Sequence, residues 1–148
     1  MNIFRRSFRV SAPLEQVAEF HQDTRALRLL TPPPVLVQFH RVNPMSNDSV
    51  ADFTLWIGPL PVRWVARHSQ VNMPAGFVDT QERGPFEAWV HRHTFEALGS
   101  STTLVTDEVM AQPGKHPFWG LVSRMMWLQL PLMFAYRAWQ TRRALKKR

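Results

Sequence analysis

The chain has 148 residues, 45% of them hydrophobic, enough for one core of ordinary size and too many for a disordered segment. It contains no cysteine, which excludes a disulfide framework, a thiolate nucleophile and thiolate metal sites. The net charge of +7 belongs to one end: six of the 18 basic residues (Arg137, Arg142, Arg143, Lys146, Lys147 and Arg148) lie beyond Tyr136 with no acid among them, and elsewhere 12 basic residues face 11 acidic ones.

The N-terminus runs from Met1 to Arg6 into polar sequence, with no apolar run of signal-peptide length, so a cytoplasmic location is expected. Ile3 to Val10 has strand composition, with Phe4, Phe8 and Val10 on one face. Ser11-Ala12-Pro13 opens a short helix carrying Val17, Ala18 and Phe20. Asp23 caps a second short helix, 24–30, which Thr31-Pro32-Pro33-Pro34 must end. Six further strands follow over 35–42, 49–57, 61–71, 76–82, 85–98 and 101–111, rich in β-branched and aromatic residues and divided by Gly58-Pro59, Gly84-Pro85 and Gly99-Ser100. The short connections favour antiparallel neighbours.

The period then changes. Phe118, Val122, Met125, Leu128, Leu132, Tyr136 and Trp139 step by three or four, which predicts one long helix kinked at Pro131, and Met126, Trp127, Leu130, Met133 and Phe134 off this stripe make it apolar over much of its circumference. Its most apolar run, Met125 to Tyr136, is too short to span a membrane, which takes about 20 residues. The reading is a single α+β domain over 1–148: a curved seven-stranded antiparallel sheet, two short helices and one long C-terminal helix enclosing a cavity.

This order of elements resembles the START-like, or SRPBCC, superfamily of helix-grip proteins. Thr31-Pro32-Pro33-Pro34, the run Phe77-Val78-Asp79-Thr80-Gln81, the pattern Gly84-Pro85-Phe86 with Trp89, His91, His93 and Phe95, and Thr103 to Val109 look like one bacterial branch of it. The resemblance covers essentially the whole chain. It implies a pocket for an apolar small molecule (a lipid, a quinone or a polyketide-like compound), in proteins that either bind such molecules or act on them as cyclases. No cofactor is implied.

Residues alternate in direction along a strand, so Trp89, His91, His93 and Phe95 share a face, with the histidines roughly 7 Å apart at Cα. Phe77, Asp79 and Gln81 share one on the preceding strand, as do Thr103, Val105, Asp107 and Val109 on the following one. These faces carry the large apolar residues and are read as inward, which brings two imidazoles and two carboxylates together. Four roles are open to Asp79, His91, His93 and Asp107: mutual hydrogen bonding that holds the sheet, orientation of a ligand, general acid–base catalysis of a cyclase, dehydratase or isomerase type, and metal binding. The first weighs most and a metal least, so no metal is assigned. Trp64, His68, Phe77, Gln81, Trp89, Phe95, Val105, Met125 and Leu128 are expected to contact the ligand, whereas His21, His40 and His116, near element ends, read as surface residues. The expected partner is an apolar small molecule. Nucleic acid is not expected, because no basic stripe continues onto the sheet. Contact with an anionic membrane through Arg142, Arg143, Lys146, Lys147 and Arg148, in a membrane-peripheral lipid shuttle, is a further alternative, and the chain is a monomer or a homodimer.

Overall fold

The computed structural model describes residues 1–146, so Lys147 and Arg148 lie outside the described residues. The elements are β1 (Asn2–Val10), α1 (Leu14–Gln22), α2 (Ala26–Leu30), β2 (Leu36–Val42), β3 (Val50–Ile57), β4 (Leu60–Asn72), β5 (Gly76–Arg83), β6 (Ala88–Ala97), β7 (Thr103–Gln112), α3 (Pro117–Leu128) and α4 (Leu130–Lys146). The seven strands form one antiparallel sheet in the order β1-β7-β6-β5-β4-β3-β2. Strands β2 to β7 are consecutive neighbours joined by short turns, and β1 returns beside β7. The two short helices therefore carry the chain from one edge of the sheet to the other. Register shifts in β2 and at two places in β4 bend the sheet, as bulges do.

Helix α1 packs on β6, α2 on β2 and α4, and α4 on β1. Helix α1 begins behind Pro13, with no side-chain cap. The Asp23 carboxylate accepts the Arg25 N–H (3.0 Å) in the turn that leads into α2. The alternation expected of the strands holds: Val62, Trp64, Ala66 and His68 are buried on β4, and Thr103, Val105, Asp107, Val109 and Ala111 on β7. The apolar core has two parts. Phe8, Val17, Phe20, Phe77, Phe95 and Val105 gather around α1, while Phe53, Trp64, Trp89, Val109, Leu130 and Phe134 gather at the other end of the same strands.

The C-terminal segment departs from expectation in two ways. The long helix is interrupted at Gln129, and Pro131 falls in the first turn of α4, where a missing N–H costs little. The buried line on α4 is Leu130, Phe134, Ala138, Thr141 and Leu145. Met125 and Leu128, expected at the pocket, are exposed, and so are Phe118, Leu132 and Trp139. Small residues cause this rotation. Helix α3 docks through Gly120 and Ser123, with the Gly114 carbonyl pressed so close to Gly120 that a Cβ would collide with it. Ser123 Oγ accepts the Gly114 N–H (3.0 Å) and donates to the Gly120 carbonyl (2.8 Å). With that face bound, Met125 and Leu128 must point away.

Gly76 opens β5 at φ 151°, with its α-carbon against the backbone of His93 and Thr94. Any side chain there would run into the His93 carbonyl and would hold a backbone angle that L-residues avoid. Gly76→Ala is expected to cost about 1–3 kcal/mol in urea denaturation, while Gly99→Ala, with open space around it, leaves the midpoint nearly unchanged.

Candidate functional site

A cavity of about 170 Å³ lies between the concave face of the sheet and the helices. Its wall is mainly apolar: Phe53, Trp64, Phe77 and Trp89 come from the sheet, and Leu30, Met126, Leu130 and Met133 from the helices. A cavity of about 150 Å³ holds benzene, so this space suits a molecule of one or two rings.

Four polar side chains on β5, β6 and β7 meet on its floor. In the register, Asp79 stands opposite His91, and His93 opposite Asp107. The hydrogen bonds nevertheless run diagonally: His91 Nε2 donates to Asp107 Oδ1 (2.8 Å) and His93 Nε2 donates to Asp79 Oδ2 (2.7 Å). The imidazole centroids are 3.7 Å apart with the rings tilted by 31°, and Phe77 stacks on His93 at 4.2 Å.

The two histidines are not equivalent. His93 has a carboxylate at each nitrogen, since its Nδ1 is 3.4 Å from Asp107 Oδ1. Burial opposes its charge, but the bonds and charges of Asp107 and Asp79 prevail and lift its pKa to about 9. The Nδ1 of His91 is 3.8 Å from Asp79, too far for a hydrogen bond. Burial and the neighbouring His93 charge push its pKa down, against the pull of Asp107 and Asp79, so it is neutral with its proton on Nε2. Burial would raise Asp79, yet the His93 bond and the imidazole charges bring it to about 2. Asp107 is also held well below the usual carboxylate range, because the two histidine bonds outweigh its burial. The floor is thus two carboxylates, one imidazolium and one neutral imidazole.

Three more polar groups line the cavity. His68 Nδ1 donates to Ser49 Oγ (2.8 Å), whose own proton goes to the Ser46 carbonyl. Burial lowers the pKa of His68, leaving a neutral ring with an acceptor Nε2. His21 Nδ1 donates to the Val17 carbonyl (2.8 Å), and its ring lies 4.9 Å from that of Phe95. Burial drops its pKa to about 4. Arg137 donates from Nε to the Leu30 carbonyl (3.2 Å) and lies over Phe134. Burial pushes its pKa down, opposed by the charges of Asp107 and Asp79.

Of the residues expected at the site, Trp64, His68, Phe77, Asp79, Trp89, His91 and His93 line the cavity, and Asp107 bonds to them from behind. Phe95 and Val105 sit in the core around α1 instead, one layer further along their strands. Gln81 is turned to the β5–β6 connection, where it donates to the Phe86 carbonyl (2.8 Å) and accepts its N–H (3.2 Å). Met125 and Leu128 face solvent for the reason given above, and Met126, Leu130 and Met133 take their place. His21 is half-buried at the cavity rather than a surface residue, and Arg137 is turned inward rather than belonging to a solvated basic end. The signal for Arg137 was its helical phase, four residues beyond Met133 and seven beyond Leu130. His40 bonds to Thr54 (2.7 Å), and His116 caps α3 by accepting the Phe118 N–H (3.1 Å).

Asp79, His91 and His93 offer three donor atoms within 4.8 Å of one another, the one grouping among the described residues with the composition of a metal site. The Asp79–His93 bond occupies two of those atoms, and a cation would have to displace its proton. The grouping is better suited to holding a proton.

No protein-family model matches the chain, and no curated protein matches it in sequence. Solved structures do. A nucleoside-diphosphate sugar epimerase from Corynebacterium glutamicum superposes with a TM-score of 0.72 at 27% identity, over 97% of this chain and 29% of the epimerase chain. An aromatase/cyclase from a Streptomyces species gives 0.73 at 13% identity, over 99% of this chain and 94% of the other. A START superfamily protein from Mycobacterium smegmatis gives 0.71 at 13% identity, over 98% and 97%. The chain has the START-like (SRPBCC) helix-grip fold. No helix among the described residues is long and apolar enough to cross a membrane.

The charge state of the floor has a consequence for stability. A histidine raised from 6.5 to about 9 stabilises the fold fully below pH 6.5, and that stabilisation is lost as pH rises through 9. The urea midpoint of the protein is therefore expected to fall between pH 6.5 and 9.5 or so. In His93→Gln that decline is expected to be smaller than in the parent protein, since the His93 contribution is gone.

Proposed function

We propose that the protein binds a compact apolar molecule, of one or two rings and carrying an oxygen function, in the cavity between the sheet and the C-terminal helices. The observation that supports this most directly is the cavity itself, walled by Phe53, Trp64, Trp89 and Met133 yet floored by Asp79 and His93. Apolar walls with a few converging polar groups are the usual composition of small-molecule sites. The cavity size favours a ring compound over a diacyl lipid. His21 and His68 offer acceptor nitrogens to a hydroxyl, and Arg137 offers donors to a carbonyl or phenolic oxygen.

Naphthol is a suitable probe, since Trp64 and Trp89 report on the cavity by fluorescence. Saturable one-to-one quenching is expected, together with an apolar compound in native mass spectra of the protein as purified. Ala66 lies on the wall and is buried. Ala66→Phe fills the space at about 1–3 kcal/mol of overpacking and should weaken naphthol binding at least about tenfold. Unchanged affinity in a folded Ala66→Phe protein would place the ligand elsewhere.

A second reading, proton transfer on the bound molecule, draws on the inequivalence of the histidines. A protonated His93 facing the cavity is an acid, and Asp79 beside it can take up the returning proton. The aromatase/cyclase among the structural neighbours makes this chemistry a natural one for the fold. Tetralone, a two-ring ketone with exchangeable α-hydrogens, distinguishes the readings. Catalysis predicts that the protein accelerates deuterium exchange into tetralone and that His93→Gln removes the acceleration while still binding naphthol. Binding without acceleration leaves the first reading alone.

A further inference from the structure

The outer surface of α3 and the start of α4 has no partner within the fold. Phe118, Leu121, Met125, Leu128 and Leu132 follow one another at spacings of three, four, three and four, so they form one stripe. Their exposures are 47%, 57%, 62%, 79% and 78%. Contiguous exposed apolar surface of this kind marks an interaction site, whereas scattered leucines do not. Further along α4, Trp139 is also exposed, with the Arg143 guanidinium over its ring at 5.3 Å.

The charges around the stripe select the partner. From Pro117 to Lys146 there is no Asp or Glu, while Arg124, Arg142, Arg143 and Lys146 are all exposed. Beside the first turn of α3, a polar crevice is lined by Asn2, Gln112, Lys115, His116 and Arg124. Lys115 is paired with Glu87 (3.5 Å), so the free cations of this face are those of the helices themselves. An apolar stripe on helices that carry arginine and lysine but no acid is the pattern of a helix that lies in the interface of an anionic bilayer. A second copy of the chain fits less well, because pairing two such surfaces would bring together only like charges. Arg142 is partly engaged, donating to the Arg9 carbonyl (2.9 Å), so the apolar stripe and Arg124 carry more of the contact than the basic run at the chain end.

We propose that this face docks on an anionic lipid surface, with Leu121, Met125, Leu128 and Leu132 entering the acyl boundary and Arg124 meeting the headgroups. This does not depend on what the cavity holds. The test is sedimentation of the full chain with vesicles of phosphatidylcholine alone and of phosphatidylcholine with phosphatidylserine. Binding is expected to the second kind and to weaken with added salt, as screening requires. Leu128→Glu combined with Leu132→Glu, both at highly exposed positions and so harmless to folding, should reduce binding at least about tenfold. Arg124→Glu should reduce it and flatten its salt dependence. Binding that is unchanged in the double variant overturns the proposal, and so does an absence of binding to phosphatidylserine vesicles. A dimer in solution that becomes monomeric in the double variant, without vesicle binding, would assign the face to self-association instead.

Discussion

The diagonal bonding of Asp79, His91, His93 and Asp107 is the constraint around which the structure is arranged. Along β6 the order is Trp89, His91, His93, Phe95, and along β7 it is Val105, Asp107, Val109, so a polar band divides the two halves of the core. Taking two carboxylates and an imidazolium out of water is expensive unless each finds its partner. Here the charges nearly cancel, and the inward Arg137 supplies the remaining cation. Because each bond links residues offset along neighbouring strands, a slip of β6 by two residues would set His93 against Val105 or Val109. A one-residue slip would turn both imidazoles outward. The band therefore specifies the alignment of β5, β6 and β7 as well as furnishing the cavity floor.

That double role explains why a chemical function is hard to read from these residues alone. A buried His–Asp set is what a sheet closed over a cavity uses to satisfy its own polar groups, and it is also what a proton-transfer site looks like. Geometry separates the members where composition does not. His93 has an acceptor at each nitrogen and carries the charge, and His91 has one and is neutral. The cavity reaches Asp79, His91 and His93, while Asp107 stays behind the imidazoles. Whatever enters thus meets one face of the set, with the other serving the fold.

Much of this was legible in the residues. A two-residue period is unambiguous when one face carries Trp, His and Phe and the other Arg and Glu, and the strands, their pairing and the convergence of both His–Asp pairs followed from it. The C-terminal helices were a different matter. They are apolar over most of their circumference, so periodicity could not say which stripe is buried, and the answer lay in Gly120 and Ser123, two small residues with little hydrophobic signal. His21 and Arg137 escaped for a related reason. Each enters the cavity only because its helix docks at a particular rotation, which local composition does not encode.

The interruption at Gln129 also divides the C-terminal segment energetically. Helix α4 buries Leu130, Phe134, Ala138, Thr141 and Leu145 and belongs to the body of the protein, whereas α3 buries only Gly120, Val122 and Ser123. Segments with few buried apolar contacts open at a small fraction of the global unfolding free energy. Gln129 keeps a helical backbone, and the Gln129 and Met133 N–H groups reach the Met125 and Gln129 carbonyls, so α3 stays tied to α4 at its end while its body is the less anchored part. Met126 belongs to this lightly buried helix, whereas Leu130 and Met133 belong to α4. The cavity wall is therefore unevenly held: the part that Met126 supplies rests on the lightly buried helix, and the part that Leu130 and Met133 supply rests on the body of the protein.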